Sequence, residues 1–304
     1  MPDQRGRVAF VTGATSGLGL QTATELASKG ARVLIGSRSA EKGARALAEV
    51  TAAATDAQPE LVHLDLMSRS SVAAAAQQVM GLTDGRLDLL VNNAGIIAPP
   101  LMFSEDGFES QWATHVLGHG ALTWQLLPAI LNAPRSRVVT VSSIAHYFGA
   151  FDPTTIGPEL RGEHYHRVRN YARTKLADIL FARELQRRLT AAGSSTLSVA
   201  AHPGIAESNI AGNVFAGGPD WAQRAIIALY NLPAQSTEVA AWPVLFAATF
   251  PRMRGGYLIG PRGFTLRGHP TAFAGSLASR SLVRARGLWD VVETATGVSS
   301  PTLN

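Results

Sequence analysis

Short runs of apolar residues alternate along most of the chain with longer stretches of helical periodicity. Each run is apolar throughout rather than at every second position, which indicates strands that are buried on both faces of a sheet. Regular alternation of such strands with helices is typical of a parallel α/β sheet. The predicted strands cover residues 7–12, 31–36, 60–64, 87–92, 137–142, 196–200 and 256–259.

The stretches between these runs favour helices, several of which end near a glycine or proline. One Rossmann-type, doubly wound α/β domain over residues 1–304 is predicted, with about seven mainly parallel strands flanked by helices. Residues 205–235 are too long for a plain connection and predict a substrate lid. Residues 278–297 are amphipathic and predict a helical tail. The other predicted helices cover about residues 17–29, 41–53, 69–82, 108–131, 170–192 and 236–249, the fourth interrupted or ended near Pro128.

Composition narrows the class of protein. The chain has 304 residues, 46% of them apolar, and no cysteine, which excludes disulfides and thiolate chemistry. Neither a signal peptide nor an apolar run of about 18 residues is visible, so a cytoplasmic protein without a transmembrane segment is expected. The net charge is +5, but the arginines are scattered, so no nucleic-acid partner is expected. No metal site is predicted.

The segment Thr12–Gly19 (TGATSGLG) joins the first strand to the first helix. Its glycines permit a tight turn, close approach of a pyrophosphate to the backbone and close packing of helix on strand. A tight βα turn without a ligand is the structural alternative. The residues expected to contact a dinucleotide here are Gly13, Thr15, Ser16, Gly17, Leu18 and Gly19.

The second strand is followed by Ser37 and Arg38, where proteins selective for NAD usually carry an acidic residue. A hydroxyl and a guanidinium suit a 2′-phosphate instead. NADP (NADPH) is therefore favoured as the cofactor and NAD is less favoured. A solvated loop charge is the alternative interpretation of Arg38.

Polar residues also follow the third and fourth predicted strands. Asp65, next to Leu66, is placed to accept a hydrogen bond from an adenine amine. Asn92 and Asn93 can tie neighbouring strand ends together, and Gly95, after Ala94, lets the backbone lie beside an adenine ribose. Each signal is weak alone, because Asp and Asn commonly cap helices. The cofactor contacts predicted here are Asp65, Leu66, Asn92, Ala94 and Gly95.

The segment Asn170–Leu176 (NYARTKL) contains one of only three lysines in the chain. Lys175 follows Tyr171 by four residues, so both lie on one face of a helix. A lysine offers a compact point charge that arginine does not reproduce. This spacing suggests that an ammonium group is needed beside the phenol.

The motifs TGATSGLG, DL, NNAG, VSS, YARTK and HPG, in this order, resemble the short-chain dehydrogenase/reductase family over about residues 5–260. Finer features resemble its retinol-dehydrogenase-like and protochlorophyllide-reductase-like branch. They are Gly36-Ser37-Arg38, Leu117-Gly118-His119, the long interval between Ser143 and Tyr171, and a tail with Gly-Pro-Arg-Gly-Phe followed by Arg-Gly-His-Pro. The resemblance implies an NADP-dependent oxidoreductase that transfers hydride between a nicotinamide and a substrate carbon.

The resemblance also implies catalytic roles. Tyr171 corresponds to the acid/base that protonates a carbonyl oxygen, and Lys175 favours its phenolate and holds the nicotinamide ribose. Ser143 corresponds to the serine that binds the reacting oxygen. Further cofactor contacts are implied for Tyr171 and Lys175 themselves, for Pro203 and Gly204, beneath the nicotinamide, and for Ser208. His202, before this turn, is interpreted as a packed histidine at a strand end.

One position departs from the family pattern. The family often has Asn-x-x-Gly in the helix after strand four, and with Gly118 as the anchor the asparagine position holds His115. Histidine can donate, accept and titrate near neutral pH. We therefore predict that His115 joins a proton relay to Lys175 and contributes an ionisation near pH 6–7.

Apolar side chains dominate residues 205–233 and the stretch after Ser143, which predicts an apolar pocket. The expected substrate is a hydrophobic small-molecule carbonyl or alcohol, namely a lipophilic ketone, aldehyde or alcohol. Packing of these residues on the core or on another subunit is the alternative. A different class of function, an NADP(H)-binding redox sensor or scaffold with weak or no catalysis, also stays open. Related folds include both homodimers and monomers.

Overall fold

The computed structural model describes residues 1–204, 235–263 and 266–300, which contain an eight-stranded sheet with helices on both faces. The strands are β1 Val8–Thr12, β2 Arg32–Ser37, β3 Glu60–His63, β4 Leu89–Asn92, β5 Arg137–Val141, β6 Leu197–Ala201, β7 Leu258–Gly263 and β8 Arg267–Phe273. The helices are α1 Gly17–Ser28, α2 Ala40–Ala53, α3 Arg69–Leu82, α4 Ser110–Trp112, α5 His119–Asn132, α6 Gly157–Leu160, α7 Arg167–Ala191, α8 Thr237–Thr249 and α9 Leu282–Thr296.

The order of strands in the sheet is β3-β2-β1-β4-β5-β6-β7-β8, and β1 to β7 are parallel. The order reverses between β1 and β4, so the chain leaves these two strands in opposite directions. Ligands of doubly wound sheets bind in the crevice outside the carboxyl ends at such a point. The predicted α/β fold class is confirmed.

An eighth strand was not predicted. β8 pairs antiparallel with β7 at the edge of the sheet. It contains Pro270 and has no buried residue, so it lacks the continuous apolar run used to find the other strands. Proline is tolerated at an edge, because one side of such a strand needs no ladder hydrogen bonds.

The long helix predicted over residues 108–131 is divided in the structure. A π-helical segment, Ala113–Gly118, lies between α4 and α5. Pro128 lies inside α5, which continues to Asn132, so the predicted interruption near this proline is wrong. A wide turn of this kind often marks a functional site. Here it carries His115, the residue that departs from the family pattern.

Two apolar layers cover the sheet. One layer packs α1, α2 and α8 against one face, and the other packs α3, α5 and α7 against the opposite face. The terminal helix α9 closes the second layer, where the Trp289 ring stacks on Phe181 with centroids 5.4 Å apart and lies 4.8 Å from the Trp124 ring. The helix that carries Tyr171 and Lys175 is thereby held between the sheet and α9.

Among the described residues, no helix combines the length and the apolar character needed to cross a membrane.

Candidate active site

The turn after β1 is tight and contains glycines in the left-handed region. Gly13 and Gly17 have φ of +65° and +52°, in the left-handed region that favours glycine. A Cβ atom on Gly13 would lie 2.7 Å from the Ala94 Cα atom, whereas one on Gly17 would meet no atom within 4 Å. The structure therefore packs Gly13 against the loop after β4 and leaves space above Gly17.

The amino end of α1 opens onto this space. Its N-cap, Ser16, makes no side-chain capping bond, and the first turn contains no acidic residue. The first N–H groups of a helix lack partners within the helix and carry partial positive charge. This end of α1 is thus suited to bind an anion. The six contact residues predicted from the glycine pattern all lie in this turn or in the first turn of α1. Among them, Thr15 and Leu18 are half-buried.

Thr12, the first residue of the TGATSGLG motif, was not among the predicted site residues, and it joins the carboxyl ends of β1 and β4. Its Oγ1 atom accepts from the N–H groups of Asn93 at 2.9 Å and Ala94 at 3.0 Å, and lies 2.9 Å from His119 Nε2. The Asn93 amide donates to the Thr12 carbonyl at 2.8 Å. These contacts hold the carboxyl ends of β1 and β4 together at the base of the crevice. Each of the four residues lies in a motif of the sequence, but the motifs did not show that they bond to one another.

Asn92 lies deeper than predicted. Its side chain is buried and donates to Thr123 Oγ1 at 2.9 Å, inside the layer beneath the sheet edge. The sequence predicted that Asn92 and Asn93 tie neighbouring strand ends together. In the structure the Asn93 side chain does so, through its bond to the Thr12 carbonyl. Ala94 is half-buried and Gly95 is exposed at the crevice. Gly95 also lies close to the ring of His115, because a Cβ atom there would be 3.1 Å from Nε2.

The carboxyl ends of β2 and β3 lie at the far side of the crevice. Ser37 is buried, and its hydroxyl donates to the Ser39 carbonyl at 2.8 Å, so it shapes the turn into α2. Arg38 is exposed and has no carboxylate partner among the described residues. Asp65 accepts from the Met67 N–H at 2.9 Å, and Leu66 is buried beside it. Arg38 thus offers an exposed guanidinium without a carboxylate partner in the described part of the chain.

Helix α7 brings Tyr171 and Lys175 to the end of β5. The Lys175 ammonium donates to the Val141 carbonyl at 3.0 Å and to Asp178 at 2.9 Å, and lies 5.8 Å from the Tyr171 ring centroid. Ser142 Oγ donates to the Lys175 carbonyl at 2.6 Å. The lysine is thus tied to β5 through both its side chain and its backbone.

Ser143 follows directly at the start of a short 3-10 helix, Ile144–Phe148. It is half-buried, and its Oγ accepts from the Ala145 N–H at 3.2 Å. Tyr171 is also half-buried. The hydrogen bond from Ser142 to the Lys175 carbonyl ties the end of β5 to α7. Ser143 and Tyr171, the residues predicted to bind a reacting oxygen, therefore come from two elements that are fixed to each other.

His115 has a complete set of partners. Its Nε2 atom accepts from the Ile96 N–H at 3.0 Å, which places the proton of the neutral ring on Nδ1, 2.8 Å from Thr174 Oγ1. The Thr174 hydroxyl donates in turn to the Tyr171 carbonyl at 2.9 Å. The ring therefore links the loop after β4 to α7 through both of its nitrogens.

The expected ionisation of His115 near pH 6–7 is wrong. Burial lowers the pKa of His115 well below its ordinary value, and the nearby Lys175 and His119 act in the same direction. The π-helical segment places the ring inside the layer between α5 and α7, where a charged imidazolium is poorly solvated. Sequence spacing gave the position of this residue but not its burial.

The last predicted element of the site is the turn after β6. His202 is buried, its Nδ1 atom accepts from the Gly204 N–H at 3.1 Å, and burial lowers its pKa to about 3. The packed interpretation of this histidine is thus confirmed. Gly204 has φ of +77°, and the Gln235 amide donates to the Pro203 carbonyl at 2.7 Å. Ser208 and the predicted lid, apart from Gln235, lie outside the described residues.

The arrangement suits redox chemistry with a bound dinucleotide. The described residues contain no group of three His, Asp or Glu side chains placed to hold a metal ion. They do contain a helix amino end suited to an anion, a crevice at the switch in strand order and an anchored lysine beside a tyrosine. Residues missed from the sequence are Thr12, Thr174 and Asp178. For Asp178 the signal was its spacing of three residues from Lys175.

Comparison with known proteins agrees with this geometry. The family model described as short chain dehydrogenase matches residues 7–152. Polyprenol dehydrogenase of Mus musculus is 38% identical over 263 residues, which cover 84% of this chain and 75% of that protein. Retinol dehydrogenase 13 of Homo sapiens is 34% identical over 243 residues, which cover 80% and 72%.

Among solved structures, an uncharacterized protein from Mycobacterium Paratuberculosis superimposes with a TM-score of 0.81 and is 36% identical in sequence. The match covers 99% of this chain and 97% of that one. The sequence relatives and the sheet topology lead to the same assignment. The chain therefore belongs to the short-chain dehydrogenase/reductase family, oxidoreductases that use a nicotinamide cofactor, and within it to the retinol-dehydrogenase-like branch.

Proposed function

We propose that the protein is an NADP-dependent oxidoreductase that interconverts a lipophilic ketone or aldehyde and its alcohol, with Tyr171 as the acid/base. The observation that carries this proposal is the buried Lys175 ammonium, bonded to Val141 and 5.8 Å from the Tyr171 ring centroid. A phenol exchanges protons near neutral pH only with electrostatic help, and an adjacent positive charge favours its ionised form.

In the direction of reduction, the nicotinamide supplies a hydride to the substrate carbon when the cofactor is bound. The Tyr171 hydroxyl gives its proton to the carbonyl oxygen, so the products are an alcohol and the oxidised cofactor. The Ser143 hydroxyl, whose oxygen is oriented by the Ala145 N–H, holds the same oxygen. Lys175 stabilises the phenolate left behind. Oxidation of an alcohol reverses each of these steps.

The residues present fit the cofactor from one end of the crevice to the other. The free amino end of α1 suits the pyrophosphate, and the open space over Gly17 admits it. Lys175 uses two of its three protons on Val141 and Asp178, which leaves one for a ribose hydroxyl. The remaining proposed contacts are Gly13, Thr15, Ser16, Leu18, Gly19, Asp65, Leu66, Ala94, Gly95, Pro203, Gly204 and Ser208. Asn92 supports the loop from beneath.

Arg38 supports the choice of NADP over NAD. No acidic residue stands at the end of β2, and the exposed guanidinium has no carboxylate partner in the described part of the chain. A carboxylate there would repel a 2′-phosphate, whereas a guanidinium can bind it with two parallel hydrogen bonds. Ser37 contributes through the turn that its hydroxyl stabilises.

The character of the substrate follows from the rim of the site. Tyr147 and Phe148, four and five residues after Ser143, are 44% and 82% exposed. Exposed aromatic side chains beside a reacting centre favour an apolar ligand. Polyprenol and retinol, the compounds named for two relatives, are both lipophilic alcohols, which agrees with this class of substrate.

The proposal is tested by NADPH oxidation with a panel of hydrophobic aldehydes and ketones. Replacing Tyr171 by Phe should lower turnover by about 10²–10⁴-fold, the usual contribution of a general acid, and leave NADPH affinity nearly unchanged. Tyr257→Phe is the matched control, because this tyrosine is 39% exposed and precedes β7. Equal turnover by the wild type and Tyr171→Phe would contradict the assigned role.

A second candidate function, NADP(H) binding for sensing or scaffolding with little catalysis, is favoured by one observation. The two ring nitrogens of His115 are both engaged, at the position where the family often has asparagine. Tight NADPH binding without turnover of any carbonyl or alcohol in the panel would support this function over catalysis.

A further inference from the structure

Lys175 has a buried partner that belongs to no motif of the sequence. The Asp178 Oδ2 atom lies 2.9 Å from the Lys175 ammonium, and the two side chains are 3% and 7% exposed. Tyr171, Lys175 and Asp178 follow each other at intervals of four and three residues, so they share one face of α7. The ammonium therefore stands between the phenol and a carboxylate.

A carboxylate at this place changes what the phenol experiences. An isolated buried ammonium is costly, and an adjacent opposite charge offsets that cost. The same carboxylate also weakens the positive field of Lys175 at Tyr171, because its negative charge opposes that of the ammonium. The pair supplies a fixed dipole where a lone lysine would supply a full positive charge.

Other groups around the pair leave this charge balance intact. Among the described residues, β5 contributes a neutral carbonyl, that of Val141. The π-helical segment and α5 contribute His115 and His119, whose pKa values burial lowers, to about 3 for His119. Burial raises the pKa of Asp178 to about 6, with Lys175 opposing the rise. Above neutral pH the carboxylate is thus ionised and both histidines are neutral.

We propose that Asp178 is a positioning residue of the active site, which aims the Lys175 ammonium and offsets its charge so that Tyr171 keeps its proton to higher pH. The carboxylate and the Val141 carbonyl hold two of the ammonium protons and direct the third toward the cofactor. This inference rests on the proposed function, because it concerns the proton that Tyr171 gives to the substrate oxygen.

The sign of the effect follows from electrostatics. Removing a negative charge makes every nearby group bind its proton less tightly. Carbonyl reduction needs both the protonated phenol and the ammonium, so loss of either proton ends the active range on the alkaline side. In Asp178→Asn the alkaline limb of kcat for reduction should move to lower pH, by on the order of one pH unit for a charge at this separation.

The experiment compares wild type, Asp178→Asn and Asp178→Glu in NADPH-dependent reduction of one hydrophobic aldehyde between pH 6 and 10. Asparagine keeps the shape and the acceptor oxygen but removes the charge, whereas glutamate keeps the charge. We expect the limb to move in the asparagine variant and to stay near the wild-type position in the glutamate variant. Circular dichroism and Tm establish that each variant is folded.

Glu184→Gln is the matched control. Glu184 is also a buried carboxylate of α7 in an ion pair, but its partners are Arg187 and Arg188, away from Lys175. Its pH profile should match that of the wild type. If Asp178→Asn does not fold, Asp178→Ser removes the same charge and should show the same shift.

An unmoved alkaline limb in a folded variant lacking the Asp178 charge would overturn this inference. The proposed function is tested separately, because Tyr171→Phe would still abolish most of the turnover in that case. If Tyr171→Phe instead kept full activity, the proposed function itself would fail, whatever the Asp178 variants showed.

Discussion

His115 Nε2 accepts the backbone N–H of Ile96 at 3.0 Å, so the ring of His115 is fixed as the Nδ1–H tautomer. A ring that is also bonded to Thr174 and kept neutral by burial acts as a structural link between the loop after β4 and helix α7. This relationship changes what a substitution of His115 should do.

We expect His115→Ala to lower stability by about 1–3 kcal/mol, because the Ile96 N–H and the Thr174 hydroxyl would lose a buried partner. His115→Asn should recover part of this loss, since an amide can both accept and donate. The measurements are urea denaturation and the pH profile of turnover. The wild-type pH profile of turnover could instead show an ionisation near pH 6–7 that the His115 variants lack. That result would contradict a purely structural role for His115 and would support the predicted proton relay.

Arg38 should govern the choice of cofactor. Arg38→Ala is expected to weaken NADPH binding by about 10–100-fold, the value of one or two charged hydrogen bonds, and to leave NADH binding almost unchanged. Fluorescence titration with both cofactors measures this. The control is Arg45→Ala, because Arg45 lies on α2 and pairs with Glu41 on the surface. Equal affinity of the wild type for NADPH and NADH would contradict the role of Arg38.

Gly19 should not tolerate a side chain. A Cβ atom there would overlap the Asn93 amide nitrogen and lie 2.6 Å from the Gly13 carbonyl oxygen. Gly19→Ala is expected to cost about 1–3 kcal/mol of unfolding free energy and to weaken dinucleotide binding, since the whole turn must shift.

The control for this change is Gly81→Ala, within α3, where a Cβ atom would meet no atom within 4 Å. It should raise stability by up to about 1 kcal/mol through helix propensity. Thermal unfolding with and without NADPH compares the two variants. A Gly19→Ala protein as stable as Gly81→Ala would show that the close packing of α1 on the turn is not required.

Buried neutral histidines should make the fold sensitive to acid. Burial lowers the pKa values of His119 and His202 to about 3, from 6.5 in an unfolded chain. Between pH 6.5 and 3 the two imidazoles therefore bind protons in the unfolded state but stay neutral in the folded state. The free energy of unfolding falls as the pH drops through this range. Each histidine contributes up to about 1.4 kcal/mol per pH unit in this window, and the raised pKa of Asp178 offsets a part.

Urea denaturation at a series of pH values between 7 and 4.5 tests this dependence. His202→Asn should flatten the loss of stability with falling pH, because the variant has one proton fewer to take up on unfolding. His63→Asn is the control, since His63 is exposed at the end of β3. An identical slope in the wild type and His202→Asn would mean that His202 is not held neutral in the folded protein.

The sequence was most informative where a function depends on local spacing. The interval between Tyr171 and Lys175 places both on one helix face in any α-helix, and the glycines of residues 13–19 fit only a tight turn between strand and helix. Continuous apolar runs found the seven parallel strands, because burial on both faces leaves a pattern in the sequence itself. The edge strand β8, with neither face continuously buried, left no such pattern.

Thus the sequence by itself determined the doubly wound sheet, the glycine-rich turn after β1 and the pairing of Tyr171 with Lys175. Only the tertiary structure decided that Asp178 faces this lysine in a buried pair, that Thr12 joins two strand ends, and that His115 is neutral with both nitrogens engaged. The physical reason is that charge state and hydrogen-bond partners depend on burial and on atoms distant in the chain. The spacing of residues along one segment contains neither.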